Sequence, residues 1–206
     1  MKIKEVDSDV LFPTPMWIVD YADFESVNQA ILEEMDKVDW DAEHRRRNLE
    51  SIVKQRHRED TFINLYLVPS VRAVLDAFGS SCAQIGRELG WDMEHNDIHV
   101  EEMWAHITPP GKNTQTHDHA GAHLSCAYYV RAPEGCGNLR FVEDRKHRCF
   151  EPTGSTIGMQ KEVAAKEGRM VIFPAWVSHY VDENRSSETR VSLSFNASLL
   201  PKGAVE

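Results

Sequence analysis

The sequence predicts an α+β, mainly β fold, in which an antiparallel sandwich or barrel carries N-terminal helices packed on one face. Apolar residues recur at helical spacing in the first half, and short segments of alternating hydrophobicity follow Gly90. Many short strands behind two helices are typical of such layered folds. The 206 residues suit one domain with a full-sized core. We therefore expect a single domain over 1–206, with a helical support region over 1–95 and a β core over 96–200.

Two amphipathic helices are predicted before residue 95. The first begins after Asp23 as N-cap, and the second is capped by Ser70 and ends at Gly90. Their apolar stripes are Val27, Ile31, Leu32, Met35 and Val38 for the first, and Val71, Val74, Leu75, Phe78, Cys82, Ile85 and Leu89 for the second. The charged stretch 44–60 between them is interpreted as a solvated loop or exposed helix face, with a basic patch for an anionic substrate or partner as the alternative.

Five strands are predicted from period-two alternation and from β-branched or aromatic enrichment. They cover residues 98–108, 123–130, 138–144, 169–176 and 189–199. Turn signals such as PPGKN, APEGCGN and EPTGSTIG separate them. The sequence shows no internal repeat that would indicate a solenoid.

Composition narrows the functional class. The formal charge of −10 argues against a nucleic-acid binder, because phosphate contacts need a basic surface. Apolar runs fall short of the ~18 residues of a membrane span, and the N-terminus does not resemble a signal peptide. The four cysteines (Cys82, Cys126, Cys136 and Cys149) form no CxxC pair and demand no disulfide. We expect a cytoplasmic protein.

Three histidines form a candidate metal site. His117 and His119 lie in the stretch THDHAGAHLSCAYYV, and two residues apart on an extended strand they point to the same face. His179, which follows the strand-like RMVIFP, offers a third imidazole. Three protein ligands leave coordination positions open, which suits redox or Lewis-acid chemistry. The alternative is a histidine-rich turn that holds no metal.

A cation stands near this candidate site in the sequence. Arg190 heads the alternating strand RVSLSF, eleven residues after His179. A guanidinium there can hold a carboxylate through a bidentate pair, and Ser192 shares its face. The alternative is a salt bridge to one of the nearby acids Asp182, Glu183 and Glu188.

Further polar residues each have two interpretations. Trp104, His106 and Thr108 alternate on one face of a strand, so they either line the pocket or belong to the core. Asn196 either hydrogen-bonds near the site or satisfies backbone groups. The arginines that flank FVED, Arg140 and Arg145, either meet an acidic substrate or lie exposed in loops.

The segments HDHAGAHLSCAYYV and EGRMVIFPAWVSHYVDENRSSETRVSLSFN resemble the short bacterial and phage oxygenases that depend on Fe(II) and 2-oxoglutarate. VLFPTPMW near the N-terminus is similar to the opening of that family, so the resemblance covers most of the chain. It implies a double-stranded β-helix, a jelly-roll barrel with the metal inside its open mouth and helices packed on one face. It also implies molecular oxygen as a cosubstrate and hydroxylation as the typical outcome.

Carried over to this sequence, the resemblance implies three roles. The histidines His117, His119 and His179 hold Fe(II), and Arg190 binds the far carboxylate of 2-oxoglutarate with help from Ser192. Tyr129 shares the parity of His119, so it either donates to the same carboxylate or is an ordinary aromatic, while Tyr128 faces the other way.

One ligand departs from the commonest superfamily pattern. That pattern has Asp or Glu where this chain has His119. A neutral imidazole there leaves the iron more positive and changes its redox balance. Asp118 is no easy substitute, because its side chain points to the opposite face of an extended segment.

The same residues also approximate the two cupin motifs, which belong to another barrel family. Gly111 and Gly168 precede the histidine segments at cupin spacing, and His123 falls where cupins have glutamate. A cupin would be a dioxygenase independent of 2-oxoglutarate, an isomerase or a ligand-binding module, with His123 as a fourth ligand. Arg190 favours the oxoglutarate interpretation over this one and over a non-catalytic interaction domain. The sequence does not reveal whether the substrate is a small molecule or peptide-like, nor whether the protein is a homodimer.

Overall fold

The computed structural model describes residues 13–38, 68–142 and 160–204. The stretch 44–60, Arg145 and Cys149 therefore lie outside the described residues. Along the described chain the elements are β1 (Trp17–Asp20), α1 (Glu25–Met35), α2 (Val71–Glu88), β2 (Asn96–Thr108), β3 (Thr114–His117), β4 (Leu124–Arg131), β5 (Leu139–Val142), β6 (Gln160–Val163), β7 (Arg169–Pro174), β8 (His179–Val181) and β9 (Arg190–Pro201).

These strands form two antiparallel sheets. The larger sheet has the order β1-β7-β4-β9-β2, and the smaller sheet has the order β3-β8-β5-β6. Neighbours that are distant in sequence, such as β4 and β9, are brought together by chain crossovers between the sheets. The double-stranded β-helix predicted from the resemblance is confirmed by this arrangement together with the solved structures described below.

Strand β9 separates an apolar layer from a polar one. Its odd-numbered residues are Val191, Leu193, Phe195 and Ala197, and they belong to the buried cluster that includes the two helices. Its even-numbered residues are Arg190, Ser192, Ser194 and Asn196, and they are equally buried but face the interior between the sheets. The period-two geometry of a strand produces this division. The barrel interior is therefore polar along β9.

The helices cover the outer face of the larger sheet. The rings of Phe78 on α2 and Phe195 on β9 stack with centroids 5.5 Å apart. The two helices are joined by Glu34 on α1, whose carboxylate accepts from the backbone N–H and the hydroxyl of Ser70 at 2.8 and 2.7 Å. No helix in the described part of the chain is long and apolar enough to cross a membrane.

The predicted helix ends are partly wrong. The N-cap of α1 is Phe24, one residue after Asp23, and no side chain caps this end. Ser70 is the N-cap of α2, but its hydroxyl donates to Glu34 and makes no capping bond. A buried helix–helix contact thus replaces the local one. Gly90 follows the C-cap of α2 with a φ of 74°, as its prediction as a helix end requires.

The five predicted strands correspond to β2, β4, β5, β7 and β9, with ends shifted by a few residues. The short strands β1, β3, β6 and β8 were not predicted. Each has three or four residues, too few for alternation to be recognised, and β1 lies within the region expected to be helical. Two of these missed strands, β3 and β8, carry candidate metal ligands.

Edge strand β1 is held to β7 by an ion-pair cluster. Asp20 accepts from Arg169 Nε at 2.7 Å and from Lys166 Nζ at 3.0 Å. These two cations, Arg169 first, hold the pKa of Asp20 well below its ordinary value. The carboxyl is therefore less readily protonated in the folded chain than in the unfolded one.

We predict that Asp20→Asn lowers the free energy of unfolding at pH 7 by less than about 1 kcal/mol, because the cluster is partly exposed and solvent screens it. A carboxyl with a depressed folded pKa stabilises the fold above its unfolded pKa and loses that contribution as pH falls further. The difference between Asp20→Asn and wild type should thus shrink below about pH 4. Urea unfolding at pH 7 and pH 3 measures it, and a difference that grows in acid contradicts this assignment.

Candidate metal centre and cosubstrate cavity

The pairing of the smaller sheet brings two of the candidate ligands together. His117 ends β3 and His179 begins β8, and they are direct partners in the antiparallel register. Directly opposed residues have adjacent side chains, and the two ring centroids are 4.4 Å apart. The two adjacent ligands thus come from two different strands. The predicted sharing of one strand by His117 and His119 is not found, because β3 ends at His117.

His119 reaches the same point from a loop. Its backbone N–H donates to Ala175 O at 2.8 Å, which holds it against the end of β7. Its ring centroid lies 5.0 Å from that of His117 and 5.1 Å from that of His179. One nitrogen from each of the three imidazoles lies within 4.8 Å of the others, and no other group of this kind occurs in the described residues.

Backbone carbonyls set the tautomers of two of these rings. His117 Nδ1 lies 2.8 Å from Gln115 O, and His179 Nδ1 lies 2.9 Å from Val177 O. A carbonyl can only accept, so each Nδ1 carries the proton and each Nε2 carries the lone pair that a metal requires. Hydrogen bonding of the second ring nitrogen is the usual way that proteins orient metal-binding histidines.

Burial keeps His179 neutral. Its side chain is 5% exposed and packs against Phe173 with ring centroids 4.7 Å apart. Burial in the first place, and the neighbouring His117 in the second, lower the pKa of His179 to about 4. Neutral imidazole is the form that binds metals. The donor set of three imidazoles, in two of which a backbone carbonyl fixes the tautomer, therefore fits Fe(II), for which imidazole is a suitable ligand.

Arg190 is buried beside this centre. It is 1% exposed and lines a small cavity together with all three histidines. Its Nη1 donates to Cys136 O at 3.0 Å and its Nη2 donates to Thr108 Oγ1 at 3.0 Å. These bonds orient the guanidinium from two sides. Asp182, one of the acids considered as its salt-bridge partner, pairs with Arg140 Nε at 2.8 Å.

Gly137 makes space for this guanidinium. Its φ of 92° lies in the region that favours glycine, and a Cβ there would contact Asp182 O and approach Arg190 Nη1 to 3.2 Å. The loop can therefore pass close to the arginine only because residue 137 has no side chain. The motif EGCGN marked a turn, but nothing in it indicated this role.

Tyr129 and Ser192 both lie in the wall of the small cavity. They are direct partners between β4 and β9, and both line the cavity with Arg190. Burial raises the pKa of Tyr129 to about 12 against the opposing effect of Arg190, so its phenol stays protonated and can donate a hydrogen bond. Tyr128 faces the helices instead, where its hydroxyl donates to Asn28 Oδ1 at 2.7 Å.

The cavity between the triad and Arg190 has a volume of about 30 Å³ in this conformation. That is room for one or two water molecules, so a dicarboxylate must displace side chains to enter. Its wall also includes His106 and Thr114, and Thr114 was missed by the sequence analysis. Trp104 Nε1 donates to His106 Nε2 at 2.6 Å, which ties His106 to the next inward residue of β2.

Several sequence expectations are corrected. His123 is exposed, lies outside the histidine triad, and faces Trp91 with ring centroids 5.7 Å apart, so it is not a fourth ligand. Arg140 binds Glu162 at 2.6 Å as well as Asp182, which makes it a structural cation. Asp118 does not lie on a strand, because β3 ends at His117, and its Oδ1 accepts from Ala120 N in a turn.

Comparison with known proteins agrees with this site. Residues 102–196 match the model of the family described as "Putative 2OG-Fe(II) oxygenase". The matched segment contains all three histidines as well as Arg190, Ser192 and Tyr129. Among curated proteins, none matches the chain in sequence.

Solved structures share the fold. A prolyl-4-hydroxylase from Pseudomonas putida superposes with a TM-score of 0.56 at 18% identity, covering 90% of this chain and 92% of that one. The α-ketoglutarate-dependent carbocyclase SnoK of nogalamycin biosynthesis superposes with a TM-score of 0.59 at 13% identity, covering 94% of this chain and 84% of that one. Residues 102–196 are thus similar to the 2OG-Fe(II) oxygenase family, and the described chain shares the double-stranded β-helix fold of these solved structures.

Proposed function

We propose that this protein is an Fe(II)- and 2-oxoglutarate-dependent oxygenase in which His117, His119 and His179 hold the metal. The observation that carries the proposal is the convergence of three imidazole nitrogens within 4.8 Å beside a buried arginine. The family match over the same residues supports it independently. When bound, Fe(II) with 2-oxoglutarate and molecular oxygen supplies the oxidation of a substrate C–H bond.

The residues of the chain orient and shield this chemistry. Gln115 O and Val177 O hold the rings of His117 and His179 so that both Nε2 atoms can bind the metal. Phe173 and the two sheets exclude bulk water from His179. A dry site with preset ligand orientations reduces the reorganisation that accompanies reaction.

Arg190 is proposed to bind the distal carboxylate of 2-oxoglutarate. Cys136 O and Thr108 Oγ1 accept from its Nη1 and Nη2 and hold the guanidinium at the wall of the small cavity, where it can meet a carboxylate. Ser192 and the protonated phenol of Tyr129 stand on the same wall and can donate to the same group. A carboxylate between these three groups would accept a hydrogen bond from each of them.

The third imidazole distinguishes this site from the commoner pattern with one carboxylate. Asp118 is exposed and engaged in its turn, so it does not take the place of His119 in this geometry. We propose that the Fe(II) together with its three protein ligands carries one more unit of positive net charge than in a site with two histidines and a carboxylate. The cupin alternative lacks support, because His123 lies outside the triad.

The remaining expectations stay proposals. A reducing compartment such as the cytoplasm is consistent with Cys82, Cys126 and Cys136, which are all unpaired thiols buried in the fold. A homodimer stays a prediction that sedimentation would test.

We predict that His179→Ala weakens Fe(II) binding by at least about 100-fold, because loss of a direct ligand exceeds the 10- to 100-fold effect of losing an orienting partner. Anaerobic calorimetry with Fe(II) measures the affinity. His123→Ala serves as the control, since this ring lies outside the triad, and it should bind Fe(II) as wild type does. Strong loss in the control as well would favour the cupin arrangement, whereas unchanged Fe(II) binding in His179→Ala would remove His179 from the metal site.

We predict that Arg190→Lys keeps Fe(II) binding but weakens 2-oxoglutarate binding by about 30-fold or more, as expected when a buried, hydrogen-bonded charge pair is disrupted. Calorimetry of the Fe(II)-loaded protein with 2-oxoglutarate, together with succinate release, measures the loss. Arg140→Lys is the matched control, because Arg140 pairs with surface acids outside the cavity. Equal 2-oxoglutarate affinity in Arg190→Lys and wild type would remove Arg190 from the site.

A further inference from the structure

A second, much larger cavity adjoins the metal centre. It has a volume of about 990 Å³, and His119 lies in its wall, so the cavity reaches a candidate iron ligand. That volume falls at the upper end of the range for small-molecule sites. We call it the chamber. It is distinct from the small cavity that contains Arg190, although Trp104 in the chamber wall hydrogen-bonds to His106 in the wall of the small one.

The described wall of the chamber carries three carboxylates and no lysine or arginine. The carboxylates belong to Glu101, Glu102 and Asp118. A β-bulge between Val100 and Glu102 inserts one extra residue into β2, which places two consecutive glutamates in one wall. An anionic substrate would be repelled by this wall, and a cationic one would be attracted.

A buried acceptor provides an independent indication of a ligand. Asn196 lines the chamber, is 3% exposed, and donates from Nδ2 to Glu102 Oε2 at 2.8 Å. Its Oδ1 is buried and accepts no hydrogen bond from the described residues. A buried amide oxygen without a donor is costly, and a ligand with an N–H group would supply the missing bond. Glu102 and Asn196 thus present adjacent acceptors in the chamber wall.

The acidic wall does not form a metal site. The only described group of three or more side chains whose ligand atoms converge is the histidine triad. The three carboxylates are therefore spread along the wall, which suits an extended organic cation better than a single ion. Leu75, Val100 and Met103 add an apolar surface for its carbon chain.

We propose that the chamber is the substrate site and that it selects a small molecule with an aliphatic chain bearing a protonated amine or guanidinium. This inference rests on the proposed oxygenase function, because it takes the chamber to be where the oxidised C–H bond is held. The cation lies at the wall of Glu101, Glu102 and Asn196, and the carbon chain extends toward His119.

Calorimetry with 1,6-diaminohexane tests the proposal on the full-length protein without iron. Wild type should bind the diamine, and neither the neutral 1,6-hexanediol nor the dianion adipate should bind comparably. The double variant Glu101→Gln/Glu102→Gln should weaken binding about tenfold, since each partly exposed ion pair contributes a factor of up to about 5. Thermal unfolding of the variant checks that it folds.

The matched control is Glu33→Gln/Glu88→Gln, which changes the net charge equally at exposed glutamates that do not line the chamber. It should bind the diamine as wild type does. Equal losses in the two double variants, or equal binding of the diol, the diacid and the diamine, would overturn the inference.

A separate titration with Fe(II) and then 2-oxoglutarate distinguishes the two proposals. Binding of iron and 2-oxoglutarate without the diamine overturns the substrate class and leaves the oxygenase standing. If the protein binds the diamine but binds neither Fe(II) nor 2-oxoglutarate, the oxygenase proposal is overturned and only a cation site is left.

Discussion

The structure depends on the two-faced character of β9. This strand pairs with β4 on one side and β2 on the other, so it is central to the larger sheet. Its apolar residues anchor the helices, and its inward residues run from Arg190 through Ser192 and Ser194 to Asn196. A polar interior in a barrel is tolerated only where its groups are hydrogen-bonded or await a ligand. The strand that completes the core therefore also defines both cavities.

The two cavities lie along this strand in sequence order. Arg190 and Ser192 belong to the small cavity, whereas Asn196 belongs to the chamber. The antiparallel partners on β2 divide between the same two ends, since Thr108 pairs with Arg190 and Glu102 pairs with Asn196. One register thus arranges a cation at one end and a carboxylate at the other. The cosubstrate and substrate proposals place opposite charges at opposite ends of the same strand pair.

Much of this arrangement could be predicted from the sequence, because it follows from period-two patterns. The alternation in RVSLSF placed Arg190 and Ser192 on one face of their strand. The same period of two in HLSCAYYV placed Tyr128 and Tyr129 on opposite faces. The structure shows both arrangements. The clustering of the histidines was predictable only through the combination of spacing and family resemblance. The elements that carry these histidines differ from the prediction, because His119 lies on a loop and not on the strand of His117.

What could not be predicted depends on long-range registers and on backbone detail. Nothing local indicates that β3 and β8 pair with His117 opposite His179, since both strands are too short for a pattern. The bulge at Glu101 and the close approach of Gly137 to Arg190 arise from three-dimensional packing. The position of the His123 ring could not be predicted either, because its spacing fits a cupin ligand whereas in the structure the ring faces Trp91.

The loop that carries His119 has a mechanical consequence. The backbone of His119 is tied to Ala175, and the residues beside it, Asp118 and Ala120, belong to the chamber wall. A molecule bound at that wall therefore contacts the same few residues that position one imidazole of the triad. The chamber wall and the histidine triad thus share the short segment from Asp118 to Ala120.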